Sequence, residues 1–186
     1  MRKIVITYGL IAAGISAIIW TGICLLMKYA DAGHSMILGY TAMLISAFII
    51  YFAIKNYRDN IGGGTIKFGK AFLIGLYISI IYTVLYAVTW MILRATIMTD
   101  FVESYIAYER KSLEQSGASA AVIQAKVQEM EKMMAMFSNP LLEALMVFTE
   151  PWPVAILVTL VSALILSRKK KQQDSLAESG GNIFKQ

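Results

Sequence analysis

The stretch FLIGLYISIIYTVLYAVTWMIL, residues 72–93, runs for 22 residues without a charged side chain. An α-helix needs about 20 such residues to cross roughly 30 Å of hydrocarbon. Three further apolar runs accompany it, at 4–27, 36–54 and 141–166, and only the last of the four carries charge. A hydrophobic content of 58% and a mean hydropathy of +0.61 exceed what a soluble domain of this size uses. Lipid offers the backbone no hydrogen-bond partners, so each run must close its own ladder as a helix; none shows the alternation of a barrel strand. The expected fold is therefore all-α: a four-helix transmembrane bundle over 1–167, followed by a polar tail, 168–186, expected to be disordered.

Charge placement orients the bundle. Basic residues gather at Arg2 and Lys3, at Lys55, Arg58, Lys67 and Lys70, and at Arg168, Lys169, Lys170 and Lys171. By the positive-inside rule both termini and the second-to-third connection are cytoplasmic. The connection 95–140 holds four basic residues against six acidic ones and belongs outside, as does 28–35. Topology thus accounts for the net charge of +5 without a nucleic-acid partner. The first run exceeds the 7–15 residues of a signal-peptide core, so an uncleaved helix is expected. Cys24 is the single cysteine, which excludes an intramolecular disulfide and a cysteine-based metal cluster.

Small residues mark helix contacts. Gly9, Ala13 and Ala17 recur every four residues in the first run. In the third, Ala71, Gly75, Ser79, Thr83 and Ala87 form a longer row beside the ridge Tyr82, Tyr86, Trp90 and Arg94. Adjacent small and aromatic ridges suit close packing against another span, or the wall of a lipid or ligand crevice. Trp90 and Arg94 also suit the outer interface. In the cytoplasmic connection, Arg58, Asp59, Gly63, Lys67, Gly69 and Lys70 form a glycine-rich basic loop. It lacks the Gly-Lys-Ser/Thr ending of a phosphate loop, since Ala71 follows Lys70. It reads as a turn that meets anionic lipid headgroups or a partner.

Between the third and fourth runs an extracytoplasmic helical hairpin is expected over about 99–138. Asp100-x-x-Glu103 fits a capping box, Ser116-Gly117 a helix stop, and Asn139-Pro140 a second stop. Alternatively the third span continues unbroken to Ser116. Ile123, Val127, Met130, Met134 and Phe137 form a 4-3-4-3 seam against Phe101, Tyr105 and Tyr108. The hairpin is where a protein partner or self-association is expected. Met130, Met133, Met134 and Met136 read as packing rather than as a copper site, and His34 as a loop residue.

Glu143 and Glu150 are the acids within an apolar run, seven residues apart on nearly one helical face. Counting back from Leu166, Glu143 reaches the outer interface and Glu150 lies roughly 10 Å deeper. Pro151 and Pro153 follow, and their missing donors imply a kink or short break. Three readings of this candidate polar site stand open. Glu150 pairs with Arg94; or it lines a water-filled vestibule as a proton or cation site; or the helix begins near Trp152 and Glu150 caps it at the interface. The third leaves only 154–166, too short to span comfortably. One His and one Cys on separate segments make no nucleophile–base pair, so no catalytic set, metal or cofactor is expected.

Tyr57-Arg58-Asp59, Gly63, Ile66-x-Phe68-Gly69-Lys70-Ala71-Phe72-x-x-Gly75, Ser116-Gly117-Ala118 and Asn139-Pro140 together resemble the bacterial membrane family known as domain of unknown function 4199. The resemblance runs from Lys3 to Arg168. It implies four spans, an uncleaved first helix and an inner-membrane location, chiefly in Bacteroidota; having no established activity, the family supplies no functional residues. The function expected is a non-enzymatic interaction or structural component that engages partners or lipid. The alternative is a small transport component with an ion or proton site at Glu150.

Overall fold

The computed structural model describes residues 1–29 and 36–167, and every regular element among them is a helix. In chain order these are α1 (Arg2–Tyr29), α2 (Met36–Ala47), α3 (Ile49–Asn60), α4 (Phe68–Thr96), α5 (Phe101–Gln115), α6 (Ala120–Met134), a 3-10 turn (Ala135–Ser138), α7 (Pro140–Thr149) and α8 (Trp152–Leu166). Four spans are long and apolar enough to cross a membrane: α1, α2 with α3 (Ile37–Asn60), α4, and α7 with α8 (Pro140–Leu166). The expected His34, basic stop and polar tail lie outside the described residues.

Spans outrun the apolar stretches that predict them. α4 extends from Phe68 to Thr96, and its 29 residues measure about 43 Å at 1.5 Å each. It stops there: Ile97 and Met98 both donate to the Leu93 carbonyl, so the helix does not continue into α5. The second span reaches Asn60, six residues past the apolar run, because Lys55, Asn56 and Arg58 continue the helix at its polar end. Outside, Ile18, Ile37, Leu73 and Ile92 present large apolar side chains outward. That is the surface a hydrocarbon solvent requires.

α4 is the central helix. Half of its apolar window is buried, more than in any other span, and it packs on α1, α3, α7 and α8. All five residues of its small row are buried, as are Tyr82 and Tyr86. A Cβ on Gly75 would lie 2.9 Å from Thr159 Oγ1 on α8 and 3.1 Å from Ile50 Cγ2 on α3. Only glycine permits that approach. One turn on, the Ser79 hydroxyl lies 3.4 Å from that of Thr159 and donates to the Gly75 carbonyl at 2.9 Å, so both hydroxyls at this contact have a partner. On the opposite side Gly9 of α1 meets Ile81, 2.9 Å from where its Cβ would stand.

The polar ends are tied differently. At one end Tyr8 of α1 accepts from Asn56 at 2.7 Å, joining the first span to the second. At the other, Lys28 of α1 meets Asp100 Oδ1 at 3.0 Å, joining the first span to the start of α5. These are called below the glycine-loop end and the hairpin end.

Candidate functional site

The fourth span bends where the sequence places its prolines. Asn139 caps α7 by accepting from the Leu141 and Leu142 amides at 3.0 and 3.4 Å, and Pro140 occupies the first turn. Glu150 (φ −58°, ψ −49°) and Pro151 (φ −79°, ψ −7°) keep right-handed helical dihedrals. The interruption is thus a kink with missing donors, not an unwound loop. The ladder resumes where the Ala155 amide donates to the Pro151 carbonyl at 2.9 Å. Pro151 is buried, and Pro153 is exposed.

Two glutamates on this span meet two levels of α4. Glu143 is 4% exposed, accepts from Trp90 Nε1 at 2.9 Å, and lies 3.8 Å from Arg94 Nε. Arg94 Nη1 also donates to the Met98 and Thr99 carbonyls at 2.9 and 2.8 Å, closing the end of α4. The pairing of Arg94 with Glu150 considered from the sequence is therefore corrected: Arg94 belongs to Glu143. The reason is antiparallel register. Seven residues along α7 advance about 10 Å, and eight residues back along α4, from Arg94 to Tyr86, cover about 12 Å. Glu150 accordingly meets Tyr86, whose hydroxyl donates to Oε2 at 3.1 Å. Among the described residues no cation stands within ion-pair distance of Glu150.

Glu150 lines a cavity of about 420 Å³ to which α1, α2, α4, α5 and α7 contribute. Glu150 is exposed although it lies within a span. The aromatic ridge of α4 supplies Tyr86 and Trp90 to the wall; α1 supplies Trp20, Ile23 and Cys24; α2 supplies Gly39 and Met43; α5 supplies Phe101, Tyr105 and Glu109. The rings brace one another. Trp20 stands edge-on to Tyr86 at 5.8 Å between centroids, and Trp90 edge-on to Phe101 at 5.0 Å. Trp20 Nε1 is buried with no hydrogen-bond partner among the described residues. Of the two alternatives for the α4 ridges, the small row shows close packing against α8, while two residues of the aromatic ridge, Tyr86 and Trp90, line the cavity.

The hairpin end carries its own polar network. The Asp100 carboxylate takes Lys28 at 3.0 Å and the Ser104 hydroxyl at 3.2 Å. Those partners replace the capping box expected with Glu103, and the Lys28 hydrogen bond holds the Asp100 carboxyl below its ordinary range. On α6 the covered positions are Ile123, Val127, Met130 and Met134, with Phe137 beyond. On α5 the covered residues are Phe101, Val102, Tyr105, Ile106, Glu109 and Leu113, whereas Tyr108 is 38% exposed. Burial, and secondarily Glu109, raise the Tyr105 hydroxyl. Glu109, Trp20 and Gly39 escape sequence reasoning; the four-residue spacing of Phe101, Tyr105 and Glu109 is the signal that finds one of them.

The basic loop lies at the opposite end, so the structure does not join it to Glu150. Gly63 and Gly64 hold φ of +62° and +83°, the left-handed region that glycine enters freely. Arg58 Nε meets Asp59 at 2.7 Å, and Lys70 Nζ sits 5.2 Å from the centre of the Tyr57 ring. Lys67 precedes α4 and is exposed, and a Cβ on Gly69 would meet open space.

No curated protein and no solved structure matches the chain. A family model does, over residues 7–168, and the chain belongs to that family of proteins of unknown function, DUF4199.

Proposed function

We propose that this protein is a non-enzymatic membrane component that binds an amphiphile of the bilayer in the cavity between Tyr86, Trp20 and the α5 arm. The cavity carries the proposal: about 420 Å³, walled by aromatic and aliphatic side chains, with a few polar atoms at defined places. Ligand sites of proteins have this size and character. The absence of a nucleophile–base pair from the sequence supports a binding rather than a catalytic role. Charge distribution supports cytoplasmic termini and an outward hairpin, and the family resemblance supports a bacterial inner membrane. The basic loop around Lys67 and Lys70 would rest on anionic headgroups, and the seam-built hairpin would meet a protein partner.

Gly39 offers a direct test. Its Cβ would stand 3.6 Å from Trp20, an ordinary contact, so a side chain can start there. Gly39→Leu should place apolar atoms in the cavity, with circular dichroism checking that the fold is kept. Native mass spectrometry of protein extracted from membranes should find a bound amphiphile on the wild type and none on the Gly39→Leu variant. Equal occupancy, or none in either, refutes the proposal.

A second reading, transport of a cation or proton, draws on the proline-interrupted span and on Glu150 having, among the described residues, a tyrosine hydroxyl as its one hydrogen-bond partner. Reconstituted vesicles decide it. Glu150→Gln should abolish a flux that the wild type supports, and a wild type without flux removes the reading.

A further inference from the structure

Among the described residues two carboxylates share the cavity wall, Glu150 at the end of α7 and Glu109 on α5, and no basic residue does. Basic residues stand close by, yet both are engaged elsewhere. Lys28 is held by Asp100 at 3.0 Å, and Arg94 by Glu143 and by the Met98 and Thr99 carbonyls. The fold thus assigns its nearby cations away from the cavity.

Glu143 and Glu150 make the contrast plain. Glu143 is answered by an indole N–H and a guanidinium. Glu150, on the same span and deeper, is answered by one neutral hydroxyl at 3.1 Å. A carboxylate offers about four acceptor positions, so most of those on Glu150 remain open to the cavity. An anion in a low-dielectric wall is stable when a cation or strong donor completes it. Around it lie the rings of Trp20, Tyr86 and Trp90. Aromatic faces attract a cation through their quadrupole, most strongly when water is excluded.

Resting on the binding reading above, we infer that the ligand is a lipophilic cation, an onium or a protonated amine on an apolar body, whose positive centre sits between Glu150 and the rings of Trp20 and Tyr86. Such a group comes either from the amine of a lipid headgroup or from a soluble organic cation; the chemistry that recognises it is the same. An anionic head would meet two carboxylates and, among the described lining residues, no cation; the Trp20 indole N–H and the tyrosine hydroxyls are the neutral donors there.

The test compares probes of similar bulk and different charge on the full chain in nanodiscs. Tetraphenylphosphonium is the cation and triphenylphosphine oxide the neutral probe, with binding read by tryptophan fluorescence in a Trp152→Phe background. That background leaves Trp20 and Trp90, both in the cavity wall, as the reporters. The wild-type cavity should prefer the cation on the order of tenfold, the scale of one desolvated cation–π contact reinforced by charge. Glu150→Gln should bring the two affinities together, Glu150→Asp should keep most of the preference, and Glu109→Gln should reduce it less than Glu150→Gln. Equal wild-type affinities for the two probes overturn the inference while leaving the cavity a binding site. Binding of neither probe overturns both readings. A cation preference that survives Glu150→Gln in folded protein also overturns it. Should Glu150→Gln fail to fold, the wild-type comparison still decides. A second arm separates the sources. Phosphonium affinity that is weaker in phosphatidylethanolamine discs than in uncharged digalactosyl lipid discs, with the neutral probe unchanged, supports a lipid amine as the ligand. Equal affinities in the two lipids support a soluble cation.

Discussion

Replacing Arg94 by methionine takes a guanidinium away from a carboxylate that is almost wholly enclosed, the Glu143 side chain being 6% exposed and that of Arg94 22%. Two consequences add. Glu143 is left with Trp90 alone, and breaking a buried ion pair from one side costs about 3–5 kcal/mol. Two carbonyls, of Met98 and Thr99, also lose the donor that closes α4. Removing the acid instead is gentler, because Arg94 keeps both carbonyls and some contact with solvent. Glu143→Gln should therefore cost less than Arg94→Met, about 1–3 kcal/mol, the loss of a charged hydrogen bond. In the double variant the enclosed charge and its partner vanish together, so the two losses should not add. A coupling of about 1–3 kcal/mol is expected for groups in direct contact. The register makes a second, sharper demand: Arg94→Met and Glu150→Gln should be additive within about 0.5 kcal/mol, because those residues do not meet. Equilibrium unfolding in mixed micelles, followed by circular dichroism, measures all four quantities. Coupling to Glu150 rather than Glu143 would refute the α4–α7 register on which the site is built.

Four other outcomes can be checked with the same preparation. Gly75→Ala should destabilise, since overpacking against Thr159 and Ile50 costs about 1–3 kcal/mol and outweighs the roughly 1 kcal/mol gained by removing a helical glycine; Thr159→Ser, which deletes the obstructing methyl, should restore part of the loss in the double variant. Gly63→Ala should cost about 1–2 kcal/mol for a left-handed residue, whereas Gly69→Ala should be neutral or slightly stabilising, and thermal midpoints will separate them. Asp100 is held below its unfolded value by Lys28, so its contribution is present above pH about 4 and is lost as pH falls through the lower folded value; the difference in midpoint between wild type and Asp100→Asn should close on acidification from pH 6 to pH 3. Glu150→Gln should leave the midpoint unchanged or raise it, because Gln keeps the Tyr86 hydrogen bond and removes an unmatched charge; a loss like that of Glu143→Gln would show that Glu150 is structurally paired.

The spans were legible because hydrocarbon imposes one requirement, about 20 uncharged residues in a self-satisfied helix, and residues 72–93 meet it unaided. Their ends were not. The chain from Lys55 to Asn60 stays helical past the apolar run, where a count of hydrophobicity has nothing further to register. The small row of α4 was legible as contact, though not its partner, since Thr159 and Ile50 approach Gly75 from two other spans. The ion pair was nearer to hand. Glu143 and Arg94 were each placed at the outer end of an antiparallel helix, hence at one depth, and that depth alone pairs them. The cavity was the least readable part. Its wall draws Trp20, Gly39, Tyr86, Tyr105 and Glu150 from five helices, and no local pattern links segments so far apart.

The two glutamates separate what holds this fold from what the fold holds open. Both sit on one face, seven residues apart, and both turn towards the ridge formed by Tyr86, Trp90 and Arg94. The ridge descends in polarity as it enters the membrane, from guanidinium to indole N–H to phenol. Each glutamate receives the donors available at its own level. Near the hairpin end the charge of Glu143 is matched within the protein, and that carboxylate fastens α7 to α4. One level deeper no cation among the described residues meets Glu150, and the two at the hairpin end, Lys28 and Arg94, are held by Asp100 and Glu143. Tyr86 offers a single proton, and the Pro151 kink follows directly. A packed bundle with no ligand would be better served by leucine at position 150. On the inference of a cationic ligand, glutamate there would gain by what enters the cavity, and the place of lowest internal compensation would be the place where a charge is recognised.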